Sequence, residues 1–287
     1  MMMIPGLTYL IINSYLPMFG TILAFKDFDY SKGILNSPWN GFDNFKYLFR
    51  TKDALITLRN TLLYNSLFIV LGTILAIMIA IGMNEIGKRS IAKIIQPAII
   101  MPHLISWVVV AYIVYAFLNA KNGFVNNAIL RNGRISWYSE SRYWPYILTI
   151  TYLWKYGGFQ SIVYTASIAG IDPQLYESAM MDGSSKLQQI RYITLPLIKP
   201  TIIVMLLMAV SKIFNSDFGL FYQVPMQSGL IYSTTQTIDT YVYHALMDLG
   251  NIGMSAAASL FQSVVGFVLV LSSNLMVKKI EPDNALF

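Results

Sequence analysis

Apolar runs long enough to cross a lipid bilayer recur along this chain, and they restrict it to one kind of architecture. They lie at residues 4–25, 61–81, 94–118, 144–168, 200–214 and 254–277. Crossing about 30 Å of hydrocarbon as a helix takes roughly 20 residues; the run at 200–214 is short by that measure. No water is present there to bond backbone groups, so a run of this type must satisfy its N–H and C=O groups within itself, as a helix does. The expectation is an all-α membrane protein with about six transmembrane helices, forming one transmembrane domain over residues 1–287. Composition agrees: 55% of residues are hydrophobic and 12% charged, against about 25% charged in soluble domains. The absence of Cys excludes disulfides and Cys-based metal sites. A net charge of +6 is spread over several loops without a clustered face, so it does not argue for nucleic acid.

The first run lacks the basic leader and small-residue cleavage site of a signal peptide. The abrupt start at this span suggests a cytoplasmic tail ahead of it. Pro17 should kink it. Residues 26–57 read as a polar, aromatic interfacial connector. Gly72, Ala76 and Ala80 form one small-residue ridge, and Ser255, Ser259 and Ser263 a second; such ridges allow close packing against partner helices. Gly82 to Arg89 nearly spells a phosphate-binding loop, but Arg89 stands where a Mg²⁺-binding hydroxyl is needed. It reads as a basic turn. Pro97 and Pro102 fall near the start of the third span, and His103 reads as a packing residue. Residues 119–143 form a second connector with Lys121, Arg131, Arg134 and Arg142. Residues 218–251 are long and aromatic, with no Lys or Arg, and suit a wall of a pathway or a segment folded partly into the membrane.

One polar stretch, residues 171–198, separates the fourth and fifth runs. Asp172 can cap a helix whose first turn holds Pro173. Asp182-Gly183 interrupts that helix, because Gly accepts positive φ. Ser184 and Ser185 can cap a second helix from Lys186 to Ile193, with Pro196 and Pro200 closing it. The stretch reads as a helix-turn-helix between spans.

Glu177-Ser178-Ala179, Gly183 and Ile193-Thr194-Leu195-Pro196 stand at the spacing of the E-A-A loop of ABC-importer permeases, which this chain resembles. Ser178 replaces the usual middle Ala. The stretches MPHLISWVVVAYI (101–113) and IFNSDFGLFY (213–222) are similar to the oligosaccharide and polysaccharide branch of the maltose-type permeases. The resemblance implies that Glu177, Ser178, Ala179, Asp182 and Gly183 dock on and couple to an ATPase subunit. It implies a second homologous permease, two ATPase subunits that bind ATP and Mg, an extracytoplasmic solute-binding protein, an oligosaccharide cargo and a bacterial cytoplasmic (inner) membrane. This chain itself would be non-catalytic and carry no cofactor.

With that loop cytoplasmic, the inner loops hold eight basic residues (Lys88, Arg89, Lys93, Lys186, Arg191, Lys199, Lys278, Lys279). The outer loops hold ten (Lys26, Lys32, Lys46, Arg50, Lys52, Arg59, Lys121, Arg131, Arg134, Arg142). This inverts the usual bias, and an acidic oligosaccharide is one reason for such an outer excess. Sugar sites need aromatic faces and polar groups for hydroxyls. Tyr112, Tyr152, Trp154, Asn215 and Asp217 are the candidates for the substrate path, with Lys155 as a charge partner; a Lys inside a span faces a cavity, a partner or the interface. The plainer alternative is that these aromatics pack between helices. Asp217 would repel an acidic cargo unless Lys212 pairs with it. An ion-gradient-driven secondary transporter is the runner-up, but it calls for intramembrane carboxylates and repeats that the sequence lacks. No HExxH motif, nucleophile elbow or paired-carboxylate constellation marks an enzyme.

Overall fold

A computed structural model describes residues 3–86, 89–130 and 135–280. The chain is almost entirely helical; among the described residues the β structure amounts to one isolated bridge between Lys26 and Trp39.

Helix α1 (Ile4–Phe25) is candidate span material over 22 residues. It widens to π geometry at Ile11–Tyr15 and tightens to 3₁₀ at Phe19–Phe25. The widened turn lies just before Pro17, which has no N–H to give to a regular ladder. Asn44, on the short helix α2 (Asp43–Arg50), closes the end of α1 by donating to the carbonyls of Ala24 and Lys26 at 3.0 and 2.9 Å.

Helix α3 runs from Lys52 to Asn84, 33 residues. It therefore starts well before residue 61, within what reads in sequence as a connector. The polar residues of its first turns are buried because they bond other segments. Asn60 donates to the carbonyls of Ser233 and Gln236, and Thr61 accepts from the Ile238 amide at 2.9 Å. Thr51 caps the helix by accepting from the Ala54 amide.

The run at 94–118 is not one straight helix. Helix α4 (Arg89–Leu104) and helix α5 (Trp107–Leu118) meet at a 95° bend. Pro102 sits inside α4, where it cannot donate to the Ala98 carbonyl one turn earlier, and Ser106 starts α5 by accepting from the Val109 amide. Gly87, Lys88, Arg131 and Arg134 lie outside the described residues.

Helix α6 (Trp144–Ala169) is the axis of the bundle. Its 26 residues are about 39 Å long at 1.5 Å per residue. It buries Thr149, Thr151, Lys155 and Ser161 among its neighbours. Ala76 and Ala80 pack with Tyr164, Ile168 and Ile198, so the first small-residue ridge is used inside the subunit and not for a partner helix. Gly158 permits the crossing of α4: a Cβ there would collide with the Ile99 carbonyl oxygen.

Helix α7 (Pro173–Met181) follows. Helix α8 then continues without a stop from Lys186 to Val210. The expected termination at Pro196 does not occur: π geometry at Ile190–Thr194 opens the turn just ahead of Leu195-Pro196, and the helix passes through. The second helix of the polar stretch is thus the first turn of the fifth span.

Short helices α9 (Phe218–Gln223), α10 (Tyr232–Thr235) and α11 (Ile238–Met247) lead to α12 (Ile252–Ile280). In the second ridge Ser255 is buried, bonding the Val242 and Asn251 carbonyls, while Ser259 and Ser263 are exposed. Among the described residues four helices, α1, α3, α8 and α12, are long and apolar enough to cross a membrane, or five spans if the bent α4–α5 pair counts as one; α6, read as a span in the sequence, is not among them. The exposed Lys186 reaches Glu85 at 3.1 Å, which puts the α3–α4 turn and the α7 loop at one end. Residues 119–130 and 135–143 and helices α9 to α11 lie at the opposite end, where Thr234 bonds the Ser141 carbonyl at 3.0 Å.

Candidate functional site

Two constellations stand out. The first is the α7 loop. Asp172 accepts from the Gln174 amide at 2.9 Å and Pro173 opens the helix. The helix ends in a left-handed Gly183 with φ +79°. The amide of Ser184 returns to the Ala179 carbonyl and that of Gly183 to Met180, both at 3.0 Å. This is a Schellman closure, and only Gly takes that φ without steric cost. Ser185 and Gln188 form a reciprocal capping box at the start of α8. The loop is therefore stiff. Its surface is unpartnered: Glu177, Ser178, Asp182 and Gly183 are exposed, Ala179 is half-buried, and Met181 and Leu187 are 89% and 75% exposed. Inward, the Tyr176 hydroxyl bonds Thr194 Oγ1 at 2.9 Å, which ties α7 to the π turn of α8. Neither is legible in sequence as a contact: Tyr176 lies outside the E-A-A pattern, and Thr194 fills its variable position.

The second constellation surrounds the α4–α5 break. Lys155, 4% exposed, donates to the carbonyls of Pro102 and His103 at 3.3 and 3.1 Å and also to that of Ile105. Pro102 and His103 lie at the end of α4 and Ile105 in the break; the Pro102 carbonyl also accepts from the Ile105 amide at 3.3 Å, so Lys155 fills acceptors that the bend leaves short of partners. Its ammonium also lies 4.8 Å from the Trp107 ring. Lys155 is thus committed to the backbone, which corrects the expectation that it stands ready as a charge partner for cargo. It does not snorkel to a boundary either. His103 stacks on Phe159 at 3.9 Å.

Beside this clasp the Tyr156 hydroxyl donates to Asp217 at 2.6 Å. The other Asp217 oxygen caps α9 through the Leu220 amide at 3.2 Å. Asp217 is held by Tyr156; Lys212 is exposed in the turn after α8. Tyr152 lies 4.9 Å from Tyr156 and stacks on Phe68 at 3.9 Å. Gln160 donates to its hydroxyl at 3.2 Å. A cavity of about 80 Å³ opens there, lined by Phe68, Thr73, Tyr152, Gln160, Tyr164 and Met205.

Of the six candidates for the path, Tyr152, Lys155 and Asp217 are thus brought into one cluster, linked through Tyr156 and Trp107. Tyr112 and Trp154 are 63% and 45% exposed on the outside of α5 and α6. Asn215 is exposed, and its carbonyl accepts from Asn65. Tyr156, Trp107 and Gln160 were missed; the crowded stretch YLWKYGG carried the signal for Tyr156. Among the described residues no group of three His, Asp or Glu is placed to hold a metal ion.

Comparison with known proteins places this geometry. Residues 68–283 match the family model described as binding-protein-dependent transport system inner membrane component. Protein LplB of Bacillus subtilis is 35% identical, over 99% of this chain and 89% of its own length. The polygalacturonan/rhamnogalacturonan transport system permease protein YteP of the same organism is 32% identical, over 97% and 87%. Among solved structures, a chain of a bacterial ABC transporter involved in the import of the acidic polysaccharide alginate superposes with a TM-score of 0.89 at 34% identity, covering 98% of this chain and 94% of that one.

Proposed function

The chain belongs to the family of binding-protein-dependent transport system inner membrane components, and from that premise we propose that it forms half of the transmembrane path of an importer for an acidic oligosaccharide. It is a multi-pass sugar-transport permease of the ABC type, a transport component and not itself an enzyme. The second half of the path is a related permease, and two ATPase subunits bind ATP and Mg and supply the energy. A solute-binding protein delivers cargo at the far end. A related transporter has been crystallised with its alginate pentasaccharide-bound periplasmic protein. The membrane is the bacterial cytoplasmic one, with the α7 loop on the cytoplasmic side.

The observation that carries coupling is the α7 loop: a rigid, capped helix with an exposed acidic and methionine-rich surface, joined to span α8 through Tyr176 and Thr194. Glu177, Ser178, Ala179, Asp182 and Gly183 sit in the ATPase groove. ATP-driven closure of the ATPases moves α7, and the hydroxyl contact passes that motion to α8 and the bundle, alternating access between the two ends. An interaction that differs between two states is what such a shift requires.

The acidic cargo is supported by the names of the relatives, which concern polygalacturonan and alginate; the far-end basic residues add less, since Lys26 is buried on the Ile34 and Leu35 carbonyls and Lys32, Lys46 and Arg142 pair with Asp29, Asp43 and Glu140. Asp217 does not oppose it strongly, since its carboxylate is occupied by Tyr156 and a helix cap. Tyr152, Asp217 and their neighbour Tyr156 form the path-lining cluster, with Tyr112, Trp154 and Asn215 contributing from exposed faces against the partner permease. Lys155 acts behind them as a positioning residue. The test is ATPase stimulation of the reconstituted complex by neutral and uronate oligosaccharides of equal length, each with its binding protein. Uronates should stimulate; stimulation by neutral sugars alone defeats the acidic-cargo reading. A secondary transporter finds no support in the family match.

A further inference from the structure

The connector after α5 encloses an open cavity of about 390 Å³, lined by Tyr115, Asn119, Lys121, Trp137, Tyr138 and Ser139. That volume lies within the range of small-molecule sites. Its walls are fixed by bonds that belong to the fold. The Asn119 carboxamide accepts from the Lys121 and Asn122 amides at 2.9 and 3.0 Å, turning the chain at the end of α5. Buried Asn126 accepts from the Trp137 indole at 3.0 Å and donates to the Ile135 carbonyl at 2.9 Å. The Trp137 carbonyl accepts from the Trp144 indole at 2.8 Å, and the Tyr138 carbonyl from Ser228 at 2.7 Å. Tyr115 and Tyr138 meet edge to face, with centroids 5.5 Å apart.

Lys121 is exposed at the rim of this frame. Among the described residues no carboxylate pairs with it: Glu140, the acidic residue of the same connector, is held by Arg142 at 2.9 Å. A preformed cavity thus combines aromatic walls, hydroxyl and amide groups, and one unpaired ammonium. A lipid chain would use only the aromatic part. A neutral sugar would leave the ammonium idle. A uronic acid ring uses all three: C–H faces on the tyrosines, hydroxyls on the polar groups, and the carboxylate on Lys121.

We propose that this cavity is a far-end saccharide subsite, separate from the Tyr152–Tyr156–Asp217 cluster, that holds one uronate unit of the cargo through Lys121. It rests on the reading that the cargo is acidic. It would hold the chain end near the mouth of the path while the remainder is handed over.

The test is saturation-transfer NMR on the detergent-solubilised complex of this chain with its partner permease and ATPases, without the binding protein. The probes are a trigalacturonate and its carboxyl-reduced neutral counterpart. Lys121→Gln removes one charge-assisted contact and should weaken trigalacturonate binding about tenfold. Lys121→Arg should restore it, and the neutral counterpart should bind Lys121→Gln and the unaltered complex alike. Three results overturn the subsite: no trigalacturonate signal in the unaltered complex, binding untouched by Lys121→Gln, or an equal loss for both probes, which marks a structural role. A loss confined to attachment of the binding protein, measured separately, would also overturn it and assign Lys121 to protein docking. Failure of the parent reading looks different: proteoliposomes with the binding protein would then take up neutral oligosaccharide and no uronate. Failure of the subsite alone leaves uronate uptake intact.

Discussion

Replacing Lys155 by Met keeps a long apolar stem but removes the ammonium that holds the α4–α5 break. In the structure three carbonyls, those of Pro102, His103 and Ile105, converge on that group within the bundle. The Pro102 carbonyl keeps the Ile105 amide as a partner; a buried acceptor left without one costs about 1–3 kcal/mol, so the gross loss is roughly 2–6 kcal/mol for the other two. Relief from burying an ammonium offsets several kcal/mol of this, and water entering at the bend satisfies part of the rest. A net local loss of about 1.4 kcal/mol is expected. At about 1.4 kcal/mol per decade, that raises the population of the locally open state, and with it amide exchange, roughly tenfold. Hydrogen exchange, read by mass spectrometry on the complex in nanodiscs, should show it at residues 105–110, including the Val110 amide that bonds the Ser106 carbonyl. Peptides from α12 should exchange as before. Unchanged exchange across 105–110 in Lys155→Met would refute the clasp, whatever happens to transport.

Gly183→Val must place a β-branched residue at φ +79°. A cost of about 1–3 kcal/mol is expected, and ATP-dependent uptake should fall sharply while the binding protein still binds sugar; normal uptake in a well-expressed complex contradicts the coupling role. Tyr176→Phe removes one hydroxyl contact to Thr194, worth about 1 kcal/mol. Uptake per ATP hydrolysed should drop with little change in thermal stability, and an unchanged ratio argues against that link. Gly158→Ala should prevent α4 from crossing α6 and reduce the yield of assembled complex on size exclusion, whereas Gly82→Ala, with open space around it, should assemble normally.

What the sequence made legible was local. Asp172, Ser185 and Gly183 act within a few residues of themselves, so cap chemistry and positive φ could be read directly. The apolar runs likewise marked α1, α6 and α12 almost to their ends. What was hidden depends on distant partners. The carbonyls that claim Lys155 lie 50 to 53 residues away in sequence, and nothing near Lys155 points to them. Residues 52–57 look like the end of a connector because Lys52, Asp53 and Thr57 are polar, yet they open α3, where the partners of Asn60 are carbonyls more than 170 residues on. The bend at Ile105 is invisible in an apolar run that continues through it. At Pro196 the rule that proline stops a helix gave way to a π turn, which sequence propensity does not register.

The central claim is that this chain moves sugar only as part of an ATP-driven assembly. Its most direct measurement is uptake of radiolabelled uronate oligosaccharide into proteoliposomes holding this chain, its partner permease and the ATPases, with binding protein outside and ATP inside. Uptake that needs ATP and the binding protein and persists when ionophores collapse every ion gradient is the predicted result. Uptake without ATP, driven by a proton or sodium gradient, would contradict it.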